Sequence, residues 1–92
     1  MIFLFLLAVQ LQAQNPDSIF SRANKNYNLG SYEQALAGYD SIVQLGLHSS
    51  ELYFNMGNAH YKLNRIAPSI LNYEKAHLLD PTNEDIQHNL RF

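Results

Sequence analysis

The chain repeats itself with a period of 34 residues. The run from Ala23 to Tyr39 lies over the run from Gly57 to Tyr73 without a gap. Small residue, Asn, Tyr, Leu, turn residue, large apolar residue, small residue, aliphatic residue and Tyr recur in that order. A copy of this size cannot bury its apolar face alone, so successive copies stack into a helical solenoid. Solenoids of this kind present extended binding surfaces, so an interaction face is expected before a catalytic pocket.

Residue spacing gives the helices. Asn15-Pro16-Asp17 opens the folded part, with Pro suited to a first helical turn. Ile19, Phe20, Ala23 and Tyr27 follow at helical spacing until Gly30, which can take the left-handed conformation of a C-terminal cap. Ser31 and Gln34 have the spacing of a capping box for the next helix, whose apolar face is Tyr32, Ala35, Leu36, Tyr39, Ile42 and Val43. Gly46 ends it. In the second copy Ser49 or Ser50 caps a helix that opens on Glu51, and Asn64 replaces Gly30 at the turn. Pro68 stands at the position of Gln34, in a first turn, where it is tolerated. Thr82 or Asn83 then caps a last helix through Ile86, Asn89 and Leu90. The pattern predicts five helices, at 17–29, 32–45, 51–63, 66–79 and 84–92. Short connections make each pair antiparallel. The expected fold is all-α: an antiparallel helix-pair solenoid of two full repeats plus the first helix of a third.

Small residues set how closely the helices approach. Ala23 and Gly57 share one repeat position, and Ala35 and Ser69 another. Tyr39 and Tyr73 are expected to fill the space between one pair and the next, each worth roughly 1.5–3 kcal/mol when buried.

The N-terminus is different in kind. Residues 2–9 form an unbroken apolar run, and no charged residue precedes Asp17. The run is shorter than the ~20 residues a membrane span needs. It suits the apolar core of a secretory signal, with Leu11-Gln12-Ala13 resembling a cleavage site, although a basic leading segment is missing. Residues 1–13 are therefore read as a signal peptide, and the protein as exported, to the periplasm or cell envelope. The formal net charge of -2 gives no electrostatic case for nucleic acid. With no cysteine there is neither a disulfide framework nor a thiolate metal site.

Asn55 to Leu63, Tyr73-Glu74-Lys75-Ala76 and Leu79-Asp80-Pro81 resemble tetratricopeptide repeats, matching that family at Gly57, Ser69, Tyr73, Ala76 and Pro81. The first copy departs at Arg22, Ile42 and Leu47, where Leu, Ala and Pro are usual. The resemblance divides residues 16–92 into repeat 1 (16–49), repeat 2 (50–83) and a partial repeat 3 (84–92). A narrower likeness joins the signal, the Ala-Asn-x-x-Tyr-x-x-Gly-x-Tyr run, residues 51–59 and residues 84–90. Together they are similar to BatE-type repeat proteins of bacterial aerotolerance operons, which continue into a membrane segment and an SH3-like domain. That likeness implies membrane proximity through a longer chain and a role in an envelope stress complex.

In the family, the first helix of each pair lines a concave groove. The resemblance places Phe20, Asn24 and Tyr27 there from repeat 1, with Asp17 and Asn28. Repeat 2 contributes Phe54, Asn58, Tyr61 and Lys62, with Glu51, and His88 and Asp85 follow from the third. The Asn24 and Asn58 amides could pair with the main chain of an extended peptide, and the aromatics could supply apolar contact. The alternative is that the aromatics pack on neighbouring helices while the amides solvate the groove. Chaperone-binding members hold a terminal carboxylate with a basic clamp. Two of its Asn positions match Asn24 and Asn55, but its cationic positions fall on Phe20, Asp85 and Asn89, so that clamp is not built here.

Chemistry has little foothold. His48, His60, His77 and His88 show no i, i+4 ligand spacing. Nothing groups Ser, His and Asp into a nucleophile with its base, Glu84-Asp85 reads as a helix start, and there is no Gly-rich phosphate loop. No cofactor or metal is expected. The expected role is a non-catalytic scaffold for a protein or peptide partner. The other reading is a self-assembly module that stacks through Leu90 and Phe92 at the third-repeat edge. N-terminal sequencing of the exported form should find a chain starting near Gln14; an intact Met1 in a soluble cytosolic protein contradicts the signal.

Overall fold

The computed structural model describes residues 15–91. Residues 1–14, which include the segment read as a signal peptide, and Phe92 lie outside the described residues. Five helices follow in order: α1 Pro16–Asn28, α2 Tyr32–Gln44, α3 Ser50–Lys62, α4 Ile66–Leu79 and α5 Glu84–Asn89. Consecutive helices pack on one another, α1 with α2, α2 with α3, α3 with α4 and α4 with α5. This is the all-helical paired architecture expected from the period. α1, α2 and α3 run one residue earlier than predicted at their C-terminal ends, and α5 stops at Asn89 instead of reaching 92. Among the described residues no helix is long and apolar enough to cross a membrane.

The left-handed residues decide where helices stop. Gly30, Gly46 and Asn64 have φ of 81°, 83° and 64°. At α1 the Gly30 N–H bonds to Tyr27 O and the Ser31 N–H to Asn26 O, at 3.0 and 2.8 Å. At α3 the same pair runs from Asn64 to Tyr61 O and from Arg65 to His60 O, both at 2.9 Å. These are matching Schellman ends one period apart. α4 ends otherwise. Pro81 drives its predecessor out of the helical region, and Asp80 sits at φ -146°, ψ 77°.

Helix starts correct one expectation. Ser31 and Gln34 form no capping box: the Ser31 side chain makes no capping hydrogen bond. A cap side chain reaches the N2 or N3 amide from an extended backbone. Asn15 (ψ 118°), Ser49 (ψ 156°) and Asn83 (ψ 117°) have that backbone and cap their helices. Ser31 (ψ 66°) and Arg65 (ψ 81°) do not, and cap nothing. Each is already committed, through its own N–H, to closing the preceding helix. Pro68 sits in the first turn of α4 as expected.

The core joins both repeats. Ala23, Ala35, Leu36, Tyr39, Ile42, Leu52, Tyr53, Met56, Ala59, Ala76 and Ile86 form one buried cluster, with Leu90 packed against its edge. Leu90 is therefore partly spent on this core. The small positions are points of closest approach. A Cβ on Gly57 would stand 2.6 Å from the Tyr73 ring, and Ser69, fully buried, donates from Oγ to Gly57 O at 2.8 Å. In repeat 1 the smallest residue moves to the partner helix, where a Cβ on Gly38 would stand 2.9 Å from the Ala23 Cβ. An exposed ion pair from Arg65 to Glu33 ties α4 to α2 across the repeat boundary, an arrangement worth at most about 1 kcal/mol.

Gly57→Ala should cost about 1–3 kcal/mol in urea denaturation because the Tyr73 ring must give way, and Gly57→Leu or Ala35→Trp should unfold the domain. An unchanged melt for these variants contradicts the packing described.

Candidate protein-binding groove

Two hydrogen-bonded clusters, one period apart, build the floor. The Tyr39 hydroxyl donates to Asn24 Oδ1 at 2.5 Å, and Asn55 Nδ2 donates to the same oxygen at 3.1 Å. In the next copy the Tyr73 hydroxyl donates to Asn58 Oδ1 at 2.5 Å, and Asn89 Nδ2 donates to it at 3.3 Å. Every member of the second cluster lies 34 positions after its counterpart. Each cluster joins three helices: α1, α2 and α3 in the first, α3, α4 and α5 in the second.

This sharpens the expectation for the tyrosines and the asparagines alike. Tyr39 and Tyr73 are buried, and each hydroxyl is anchored to the first helix of its own pair, on an asparagine that also binds the next pair. The Asn24 and Asn58 carbonyls are therefore spent inside the molecule. Their Nδ2 groups make no hydrogen bond among the described residues and are not fully buried. Asn55 and Asn89 show the complement: their Nδ2 groups are used and their carbonyls are not. Two amide donors and two amide acceptors are thus uncommitted among the described residues, on asparagines that line the cavities.

Around it run three cavities. One of about 270 Å³ is lined by Asn24, Tyr27, Asn28, Tyr39, Asn55 and Asn58. It shares Tyr27 and Asn58 with a second, of about 320 Å³, to which Tyr61, Lys62, His88 and Arg91 belong. The third, of about 230 Å³, is lined by Asp17, Phe20 and Glu51 with Leu52 and Ile42. Phe20 packs against Tyr39, ring centroids 5.9 Å apart, and so borders the first cluster.

Seven of the residues predicted for the groove, Asn24, Tyr27, Asn28, Asn58, Tyr61, Lys62 and His88, line the first two cavities. Phe20 lines the third. Phe54 lines none of these three; its ring lies against Tyr73, centroids 5.8 Å apart. Tyr27 stands edge-on to Tyr32, centroids 5.2 Å apart, and is only half-buried. Asn55, Asn89 and Arg91 were not predicted as groove residues. Asn55 and Asn89 carried a readable signal, since they too are separated by the repeat period.

Electrostatics follow burial. Desolvation pushes the Tyr39 phenol up to about 12, against the help its ionised form would draw from Asn55. Tyr73 is raised by burial, opposed by hydrogen bonds from Ser69 and Asn89. Tyr27 is raised by burial and pulled back by Lys62. His60, away from the groove floor, is lowered by burial and by Arg65, against Glu33, and its Nδ1 is buried without a partner among the described residues. Among the described residues no three His, Asp or Glu side chains group so as to hold a metal ion.

Residues 50–83 match the family model for the tetratricopeptide repeat. That match spans α3, α4 and the turn before α5, the unit predicted as repeat 2. It supports membership of the tetratricopeptide repeat family, whose repeats serve as protein–protein interaction modules. Repeat 1 lies outside the match, yet its geometry copies the matched unit, in the left-handed residue after the first helix and in the Tyr–Asn–Asn cluster. No curated protein matches the chain.

The tyrosines predict an alkaline limit to stability. The phenol of an unfolded chain ionises near 10, and Tyr39 in the fold only near 12. Its contribution is complete below pH ~10 and is lost as pH rises towards 12. Denaturation midpoints should fall across that window, and Tyr39→Phe should flatten part of the fall. A midpoint independent of pH there, or a Tyr39 phenol titrating near 10 in the intact fold, contradicts its burial.

Proposed function

We propose that this chain is a non-catalytic scaffold whose groove holds an extended segment of a partner protein. The observation that carries the reading is the amide floor. Two uncommitted donors and two uncommitted acceptors, borne on α1, α3 and α5 by residues that line the cavities, suit the alternating N–H and C=O groups of an extended main chain. The amides are held in place by buried tyrosines, so little ordering remains to oppose binding. Tyr61, 52% exposed, and Tyr27 give apolar surface beside that floor, as aromatics do at protein interfaces.

The setting belongs to the proposal as well. The apolar N-terminal run supports export to the periplasm or cell envelope, and the BatE-type likeness supports a stress-tolerance complex in which a longer chain brings the repeats near the membrane. Self-assembly is the second reading. Leu71 and Leu78 lie two turns apart on α4, 55% and 79% exposed, with Leu79 also exposed, and they favour a contact between copies. Sedimentation over a range of concentrations separates the readings: a constant monomer leaves the scaffold, and a reversible dimer lost on Leu78→Gln favours assembly.

Asn58→Ala would disturb the Tyr73 cluster, so the groove is better tested at its rim. Tyr61→Ala with Asn28→Ala should weaken capture of envelope-fraction partners by about tenfold or more while leaving the melt unchanged. Undiminished capture with an intact fold rejects the groove.

A further inference from the structure

We propose that the cavity bounded by Lys62, His88 and Arg91 is a subsite for a carboxylate of the segment held in the groove, an inference that rests on the groove reading above. Three observations carry it.

The first is unneutralised positive charge. Of the six Lys and Arg of the chain, Arg22 and Lys25 are exposed and lie outside this cavity. Arg65 pairs with Glu33, and Lys75 lies over the Tyr53 ring, 5.4 Å from its centroid. Lys62 and Arg91 are exposed, form no ion pair among the described residues, and line one cavity of about 320 Å³ together with His88. Among the described residues no Asp or Glu lines that cavity. Asp85, one turn earlier on α5, is exposed outside it. In a chain of net charge -2, two free cations on one cavity are a local reversal of sign.

The second is the polarity of the neutral group beside them. Asn58 lines the same cavity, and its carbonyl is consumed by Tyr73 and Asn89. What it offers is a donor. Lys and Arg side chains are donors only, and an ionised carboxylate is an acceptor only. Charge-assisted hydrogen bonds of this kind are stronger than neutral ones.

The third is the opposite sign elsewhere. Asp17, Glu51 and Asp85 recur in the first turns of α1, α3 and α5. Asp17 and Glu51 line the 230 Å³ cavity beside Phe20. The groove therefore runs from an acidic cavity, past a neutral amide floor, to a basic one. A segment bearing a carboxylate at one end and a basic residue at the other fits in one direction only, as complementary charge fixes register. This subsite is not the basic clamp of the chaperone-binding repeats. Those positions fall here on Phe20, Asp85 and Asn89, and the charge comes from other places.

The test is fluorescence anisotropy with a panel of labelled, extended peptides, each made with Asp or Glu and with the matched Asn or Gln. Every peptide is prepared with a free and with an amidated C-terminus. The wild type should prefer the carboxylate form by about three- to tenfold, less at high salt. Lys62→Gln with Arg91→Gln should erase that preference and leave the melt unchanged because both side chains are exposed. A preference that follows the side chain, or one that follows the chain terminus, supports the subsite and names the source of the carboxylate. Equal binding of acid and amide forms by the wild type overturns it, as does a preference that survives in the double variant. If peptide binding shows no acid preference yet is lost in Tyr61→Ala with Asn28→Ala, the subsite falls and the groove stands. If no peptide binds, or binding ignores both pairs of substitutions, the groove reading falls with it.

Discussion

One hydrogen-bonded asparagine per repeat holds this structure in register. Asn24 and Asn58 each accept from a buried tyrosine of their own pair and from an asparagine of the next pair. Hydrophobic burial around Leu36, Met56 and Ile86 drives the helices together, but it is non-directional and would tolerate sliding. Two directional bonds converging on one carbonyl would not. Removing either tyrosine hydroxyl takes one of two donors from a part-buried oxygen that the other asparagine still satisfies, a cost of about 0.5–1.5 kcal/mol. The close contact of Gly57 with the Tyr73 ring depends on the same placement, because the ring is pinned at its far end by the Asn58 bond.

The same side chains face two ways, and this links stability to binding. The half of each Asn24 and Asn58 amide that points inward fixes the stack; the half that points outward is the groove floor. Preorganisation of the floor is thus a by-product of repeat packing. In the proposed groove, affinity for an extended segment would follow from amides already held still, and direction from charge, with Asp17 and Glu51 in one cavity and Lys62 and Arg91 in another.

Much of this was legible in the chain before any coordinates. The period located both pairs, the left-handed residues Gly30, Gly46 and Asn64 located the helix ends, and the small residues Ala23, Ala35, Gly57 and Ser69 located the close crossings. Pro68 was readable as a first-turn residue by its repeat position alone. The failures have physical causes. Ser31 matched a capping pattern by residue type, but its backbone was already set by the Schellman end of α1, and pattern carries no ψ angle. Asn24 and Asn58 were recognised as a matched pair, yet which half of an amide faces inward depends on a tyrosine 15 residues away. Arg91 joined the groove only through the placement of α5, which no local spacing specifies.

The convergence on Asn24 and Asn58 is most directly tested by a double-mutant cycle on Tyr39→Phe and Asn55→Ala, read by urea denaturation. If both groups act through the Asn24 carbonyl, the two losses should be non-additive, with a coupling of about 0.5–1.5 kcal/mol. The equivalent cycle on Tyr73→Phe and Asn89→Ala should give a coupling of the same sign. Losses that simply add, within about 0.3 kcal/mol, would mean that the tyrosine and the next-repeat asparagine act independently, and that no shared carbonyl locks the repeats.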